Sequence, residues 1–369
     1  GAVRFDVPGL ANNGSNVSDL GAVEAFGFET PSLIVTTSAD IVADDGETSL
    51  REAIAFANSN ADASTITFAA GLLGQQITLA GSEFVLSSEV TIDGDINGDD
   101  VADITVSGDN ASRVFTVVSG AATLDALTIT NGYASAGGGV FVESGATLDL
   151  TNSTITGSRA YESYEGSGGG LYNSGTSTLT NSTISDNYAY ESGGGLHNSG
   201  TGTVALTNST ISGNNAYYGG GLRNLDTATL TNSTISGNSA YNSGGGIYNY
   251  GTATLTNSIV LGNDANSNAE VAGSVTSITS LTSGVASDVF AALDSLGGGL
   301  LADNGGPVQT IALKADVLNP AIDAGTDASA PSTDARGAAR FDAPGLANNG
   351  SNVSDLGAVE AFGFETPSL

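Results

Sequence analysis

A short unit recurs through the middle of the chain about every 25 residues, and this period limits the possible fold more than any other sequence feature. LDLTNSTITG at 148–157 is followed by TLTNSTISDN (178–187), ALTNSTISGN (205–214), TLTNSTISGN (229–238) and TLTNSIVLGN (254–263). The central Asn falls at Asn152, Asn181, Asn208, Asn232 and Asn257, with gaps of 29, 27, 24 and 25 residues. A second element keeps step with it: GGGVFV (137–142), GGGLYN (168–173), GGGLHN (193–198), GGGLRN (219–224) and GGGIYN (244–249). Each unit reads as a glycine run, a short strand, a turn, then two short strands meeting at a corner. T-L-T and T-I-S alternate with the period of a half-buried strand. No unit contains a helical stripe, and none holds enough apolar residues to bury alone, so neighbours must stack. The predicted fold is therefore all-β, a parallel β-helix (solenoid). Leu179, Leu206, Leu230 and Leu255 are expected to form one inward stack, and Ile184, Ile211, Ile235 and Ile259 another.

The recurring Asn fits a tight corner, because its side chain tolerates left-handed backbone angles. At the spacing of adjacent strands its amide can also bond the Asn above and below. Asn181, Asn208, Asn232 and Asn257 are the predicted structural ladder. Asn173, Asn198, Asn224 and Asn249 form a parallel candidate set, and so do Asn187, Asn214, Asn238 and Asn263. Asn-Ser-Thr also matches a glycosylation acceptor, but periodic placement in a coil accounts for it without modification. Tyr161, Tyr190, Tyr217 and Tyr241 each follow Ala. They read either as a ridge that stiffens a loop or as a sugar-binding strip.

A larger repeat frames the small one. Residues 1–33 recur at 337–369, differing only at Val3/Ala339 and Val7/Ala343, with an offset of 336. This reads as a piece of a tandem array, and the start at Gly1 without Met fits an excised or mature piece. The expected organisation is 1–33 as the tail of a preceding module; 34–130 as an N-terminal capping helix, first coils and an acidic loop; 131–265 as regular coils; and 266–369 as C-terminal coils and a junction tail. Adjacent copies of the module are the expected partners, in tandem and between chains.

Charge narrows the classes of function. Asp and Glu number 39 against 8 Lys and Arg, a net charge of −31. Such a surface repels nucleic acid, anionic membranes and polyanionic substrates, and it suits a saline exterior. With no Cys and a single His, His197, thiolate sites, thiol nucleophiles and multi-His zinc sites are unavailable. No run of 18 apolar residues marks a membrane span.

Ser49 and Glu52 have capping-box spacing, and Leu50, Ala53, Ile54 and Ala57 line one face behind them. A short helix here would lid the first coil and cover its strand edges. Thr48-Ser49-Leu50-Arg51-Glu52-Ala53-Ile54 resembles the CSLREAI motif of bacterial extracellular β-helix proteins, with Thr48 in place of Cys. Leu301–Pro307, Asn319–Gly325, Asp334–Gly337 and Asp355–Glu360 resemble the choice-of-anchor Q signature of the same proteins. The coils resemble repeats of polymorphic outer-membrane proteins and autotransporter-like passengers. The resemblance implies a right-handed β-helix, secreted or on the cell surface.

Asp93, Asp95, Asn97, Asp99 and Asp103 alternate around a Gly turn, the pattern of oxygens that Ca²⁺ takes in a tight loop. They match the D-x-N-x-D-x-x-x-D loop of dockerin-like and FG-GAP-like calcium sites, although Asp100 stands where such loops carry Gly. The reading weighed against calcium is a solvated acidic turn. Asp40, Asp44, Asp45 and Glu47 read as a plain solvated loop. The glycine runs lack the Lys and helix of a phosphate loop. Catalysis is not expected. The coil region has only Arg113, Arg159 and Arg223 as cations, and Asp186, Glu191 and Asp226 do not cluster as glycosidase carboxylates must. His197, in register with Tyr172, Arg223 and Tyr248 and without an acidic partner in its unit, reads as a surface residue. A water-ordering Thr face is set aside because the spacing reads T-N-S-T and not T-x-T along one strand. The expected function is that of a non-enzymatic extracellular structural module of a giant tandem-repeat protein: a stiff stalk, filament or adhesin segment. On this reading a 336-residue period gives on the order of 50 Å of rod. The alternative is a carbohydrate-binding or polysaccharide-degrading β-helix.

Overall fold

In a computed structural model, which describes residues 30–161, 166–340 and 354–361, the chain is a right-handed parallel β-helix. Its N-terminal end is lidded and a long C-terminal segment packs against its side. The 1–33 block lies almost wholly outside the described residues.

One coil shows how the sequence closes each turn. Leu171–Asn173 leads by a short turn to Thr176–Thr180, then Asn181 turns the corner into Thr183–Ser185. A second corner at Asp186 gives Tyr188–Ala189, and Gly193 to Gly195 lead into Leu196–Asn198 of the next coil. Stacked, these segments make four parallel sheets. They are a ten-stranded Thr face from Ile34–Val35 to Thr276–Ile278, an eight-stranded Ile face from Gln76–Thr78 to Ile259–Val260, an eight-stranded Asn face from Phe84–Leu86 to Val271–Ala272, and a six-stranded Tyr ridge from Tyr133–Ala134 to Asp264–Ser267. The coils therefore begin at Ile34–Val35, and after Asp264–Ser267 they are limited to Val271–Ala272, Thr276–Ile278 and the bridge from Leu281 to Ile259.

The inward Leu stack runs Leu124, Leu150, Leu179, Leu206, Leu230, Leu255 in strict register. Each is buried, worth roughly 2 kcal/mol of apolar transfer. The Ile stack runs Ile129, Ile155, Ile184, Ile211, Ile235 and closes on Val260, not Ile259. Ile259 pairs with Thr234 at an outward position. An apolar side chain stands there because the C-terminal segment covers it.

The lid forms as the capping box predicts. The helix Leu50–Ser59 starts at Ser49, whose hydroxyl accepts from Glu52 N while Glu52 accepts from Ser49 N, and it buries Leu50, Ala53, Ile54 and Ala57. Asp40 corrects the solvated-loop reading of its cluster. Its carboxylate is buried, bridges Arg51 at 2.7 Å and accepts from Ala80 N at 2.8 Å, tying the preceding loop to the lid. Asp44, Asp45 and Glu47 are exposed.

The glycine runs have a packing reason. A Cβ on Gly195 would lie 2.8 Å from Gly221 O and 2.9 Å from Asn214 Nδ2. Only glycine lets the coil pass this close to the amides beneath it.

After Leu281, which still pairs in parallel with Ile259, the chain leaves the solenoid and lies along the Ile face. Thr183 Oγ1 donates to Gln309 O at 2.7 Å, and Gly299 N donates to Ser236 Oγ at 2.8 Å. Thr183, Thr210, Thr234 and Ser236 point outward yet are buried. Because this segment adds width and not length, nine steps between ten rungs give about 43 Å of rod at the usual strand spacing, somewhat below the sequence-based figure.

Candidate functional site

Three Asn columns run along the solenoid, and they differ in strength. Asn181, Asn208, Asn232 and Asn257 all adopt left-handed angles, φ +46° to +51°. Their amide links are long: Asn181 Nδ2 to Asn152 Oδ1 at 3.3 Å, Asn208 Nδ2 to Asn181 Oδ1 at 3.2 Å, and Asn257 Nδ2 to Asn232 Oδ1 at 3.3 Å. Asn232 Nδ2 instead turns to Asp355 O at 3.3 Å in the C-terminal segment. These residues are corner formers first and a ladder second.

The two parallel sets are the tight ladders. Asn173, Asn198, Asn224 and Asn249 link Nδ2 to Oδ1 at 2.8, 2.7 and 2.8 Å. In the column Asn187, Asn214, Asn238, Asn263, the Oδ1 of each of the last three accepts both the backbone N–H and the Nδ2 of the Asn one coil before, at 2.9–3.0 Å. The column ends on Glu270, whose carboxylate accepts from Asn263 Nδ2 at 2.7 Å and from Gly262 N at 2.8 Å. Burial, only partly offset by these donors, holds Glu270 above the ordinary carboxylate range. Sequence reasoning missed a further column. Ser153, Ser182, Ser209, Ser233 and Ser258 each donate to the carbonyl two residues earlier. Each accepts a backbone N–H from the coil before. Its signal was the unvarying Ser of the N-S-T unit.

His197 is not a surface residue. It lies on the outer side of the Asn face but is only 5% exposed. Its ring stacks on Tyr172 at 4.8 Å, and Tyr172 stacks on Phe141 at 5.1 Å. Burial, with the nearby Arg223 charge adding to it, pushes its pKa down to about 3. Ser192 Oγ lies 3.2 Å from its Nδ1 but also accepts from Arg223 at 2.6 Å and pairs with Ser167 at 3.0 Å. So weak a base beside so committed a hydroxyl is a poor general-base pair at neutral pH. The imidazole is expected to show no NMR titration from pH 8 to pH 5. An inflection near 6.5 would show that the ring is solvated and the stack wrong. Because the folded pKa is depressed, the stack's contribution is complete above about pH 6.5 and declines as pH falls towards 3.

The Tyr ridge borders a groove of about 860 Å³ lined by Tyr188, Tyr190, Tyr217, Tyr218 and Tyr241, with Glu191 and Asp264 among its acids. Tyr217 stacks on Tyr241 at 5.3 Å and meets Tyr218 edge-on at 4.7 Å. The ridge is thus self-stacked, and it also presents aromatic surface to solvent.

The Thr face overturns the reason for setting aside a water-ordering surface. Thr176, Thr178 and Thr180 all point outward along one strand, as do Thr227, Thr229, Thr231 and Thr252, Thr254, Thr256. They align in columns with Thr147, Thr151, Thr203 and Thr207. The T-x-T spacing was present, one strand before the N-S-T corner.

The acidic loop brings the calcium candidates into one turn, where their oxygens already serve the backbone. Asp95 accepts from Gly98 N at 2.7 Å, Asp100 N at 3.0 Å and Asp99 N at 3.1 Å. Asp103 accepts from Ile96 N at 2.9 Å and Asn97 N at 3.3 Å. Asp93 takes Asp95 N, Asn97 takes Asp99 N and Asp99 takes Val101 N, each at 3.0 Å. Asp100 adopts φ +63°, the conformation Gly would supply there. Slight desolvation works against it, but these N–H groups hold the Asp95 carboxyl below its usual range. Among the described residues no three acidic or imidazole side chains gather at metal-holding distance.

The C-terminal segment contains the densest buried charge. Asp323, Asp334, Asp355 and Glu360 are each at most 2% exposed. Arg340 bridges Glu360 to Asn208 Oδ1, the latter at 2.9 Å, and Arg336 pairs with Asp334. Burial foremost, then the Asp355 carboxylate, pushes Glu360 up to about 8. Asp355 rises to about 6 for the same first reason.

Comparison with known proteins agrees with this geometry. The right-handed beta helix region matches residues 90–280, more than half of the chain, and the chain belongs to that family. No curated protein and no solved structure matches.

Proposed function

We propose that the chain is a non-enzymatic, extracellular or cell-surface structural module of a tandem-repeat protein, a stiff segment of a stalk, filament or adhesin. The observation that carries this reading is the pair of tight Asn ladders. They bond coil to coil in the interior, so bending or parting the rod breaks buried amide bonds in series. The 336-residue repeat supports a chain of such rods with adjacent modules as partners. No helix among the described residues is long and apolar enough to cross a membrane. Electron microscopy of the native material is the test. Fibres with an axial period near one module are expected, and isolated monomers would count against the proposal.

The Tyr groove favours one second reading, carbohydrate binding. Tyrosine faces offer apolar contact to sugar rings, and the acidic rim suits neutral or amino sugars better than uronates. On this reading Tyr217→Ala weakens binding about tenfold in a glycan screen. Absence of any hit for the parent chain, with no reducing sugar released from candidate polysaccharides, would sink it. The Thr columns are checked separately by the inhibition of ice recrystallisation.

For the loop of Asp93, Asp95, Asn97, Asp99 and Asp103, we propose Ca²⁺ as the ligand. It would have to draw on the carboxylate lone pairs that the backbone N–H groups leave over. Chelation should then lower the melting temperature by several degrees and speed amide exchange in the first coils. An unchanged melting curve in chelator would rule the ion out.

A further inference from the structure

We propose that the flank of the solenoid that seats residues 354–361 is also a receptor for the leading copy of that octapeptide, Ser18 to Ala25, carried by a second copy of this chain. Ser354-Asp355-Leu356-Gly357-Ala358-Val359-Glu360-Ala361 recurs letter for letter from Ser18 to Ala25, and Arg340 has its counterpart in Arg4. The seated copy is held by specific contacts. Gly357 N donates to Asn257 O at 2.7 Å, and Ala358 N donates to Thr234 Oγ1 at 3.1 Å. Arg340 joins Glu360 to Asn208. The atoms that make these contacts exist again in Gly21, Ala22, Glu24 and Arg4.

The seat is selective on both sides. Gly357 has φ +87°, and a Cβ on it would lie 2.7 Å from Thr234 Oγ1 and 3.0 Å from Ile259 Cδ1, so only glycine fits. On the solenoid side, Ile259 occupies the outward position that is Thr in the coils before it. The apolar patch against Leu356, Ala358 and Val359 is thus built at one place.

Reach assigns the partner. Seven rung steps separate Ile34–Val35 from Thr227–Thr231 on the Thr face, about 34 Å at the usual strand spacing. The twelve residues from Ala22 to Ile34 span at most about 43 Å fully extended, and they must also cross from one face to the next. A chain's own leading copy can arrive only under tension, whereas a second chain's copy carries no tether to the seat. The resident tail competes at an effective concentration in the millimolar range, so exchange is seen when it is unseated or while chains refold together, as in domain swapping. Nothing in this depends on the mechanical role, so a failure here would leave that role standing.

The test uses the full chain carrying Gly357→Val, which unseats the resident copy and leaves Gly21 intact. At tens of micromolar, light scattering should show the parent as monomer, Gly357→Val as dimer or larger, and Gly21→Val/Gly357→Val as monomer again. A monomeric single variant whose 354–361 amides exchange freely would overturn the proposal. So would a double variant that associates as well as the single one. Should Gly357→Val not fold, the parent is refolded with a twentyfold excess of labelled peptide 1–33. Retained label that is lost with the Gly21→Val peptide supports the exchange, and no retained label refutes it.

Discussion

Replacing Asn214 by Ala should cost about 3–5 kcal/mol of stability, whereas the same change at Asn181 should cost only about 1 kcal/mol. Asn214 Oδ1 is the acceptor for both Asn187 N and Asn187 Nδ2, each at 3.0 Å, and all three atoms lie inside the solenoid. Its own Nδ2 donates to Ile184 O and to Asn238 Oδ1, each at 2.9 Å. Truncation strands the buried Asn187 N–H, leaves Asn187 Nδ2 with Ile155 O alone, and withdraws a donor from three buried acceptors, Ile184 O, Ser212 O and Asn238 Oδ1. Each buried donor left without a partner costs about 1–3 kcal/mol, and water cannot enter a column packed under glycine backbones. Asn181 has weaker bonds, and its main task is the left-handed corner, where losing the tolerance of Asn costs about 1 kcal/mol. Denaturant melts of the two variants give the comparison. Equal losses, or a larger loss at Asn181, would show that the corner column and not the interior one joins the coils.

The contrast also marks how far the sequence could be read. Three Asn columns share one period, so spacing alone does not rank them. What ranks them is which residue takes the left-handed turn. In L-T-N-S the Asn itself takes it, at φ +48° for Asn181, and its side chain is spent at the corner. In S-G-N the preceding Gly takes it, φ +69° at Gly213, so Asn214 is free to face inward. In L-x-N plain alternation puts Asn198 on the same side as Leu196. All three signs were in the letters. The coils, the capping helix and the Leu stack were equally legible because they follow from local period and capping chemistry. The seat for the C-terminal segment was not, since it joins residues such as Asn208 and Arg340 that lie 132 positions apart. Its one local trace was Ile259, an apolar side chain where its neighbours have Thr. His197 was misjudged for a related reason: alternation gives the face, but burial there comes from the Tyr172 ring stacked on one side and Arg223 in register on the other.

The second large effect is expected at that seat, where Arg340→Met should make tail docking strongly pH-dependent. The groups facing Glu360 and Asp355 are Asp323, Asp334, Arg336 and Arg340, while the solenoid contributes the neutral Asn208, Asn232, Thr234 and Asn257. Docking raises Asp355 from 3.8 to about 6 and Glu360 from 4.5 to about 8, burial being the main cause in both. A raised carboxyl pKa means that the seated tail takes up protons. Seating is therefore strongest below about pH 4 and weakens as pH climbs through 6 and then 8. In the parent chain Arg340 limits that loss by neutralising ionised Glu360. Removing one partner of a buried pair costs about 3–5 kcal/mol when the other stays charged, and little when it can be protonated. The variant should therefore keep residues 354–361 protected from amide exchange at pH 5 and lose that protection by pH 9, with Thr227–Thr231 protected throughout as the internal standard. The parent should lose far less over the same range. A variant as well protected at pH 9 as at pH 5 would mean that the Arg340 charge does not hold the tail. Released at both pH values, it would mean that the guanidinium's bond to Asn208 and its packing outweigh its charge.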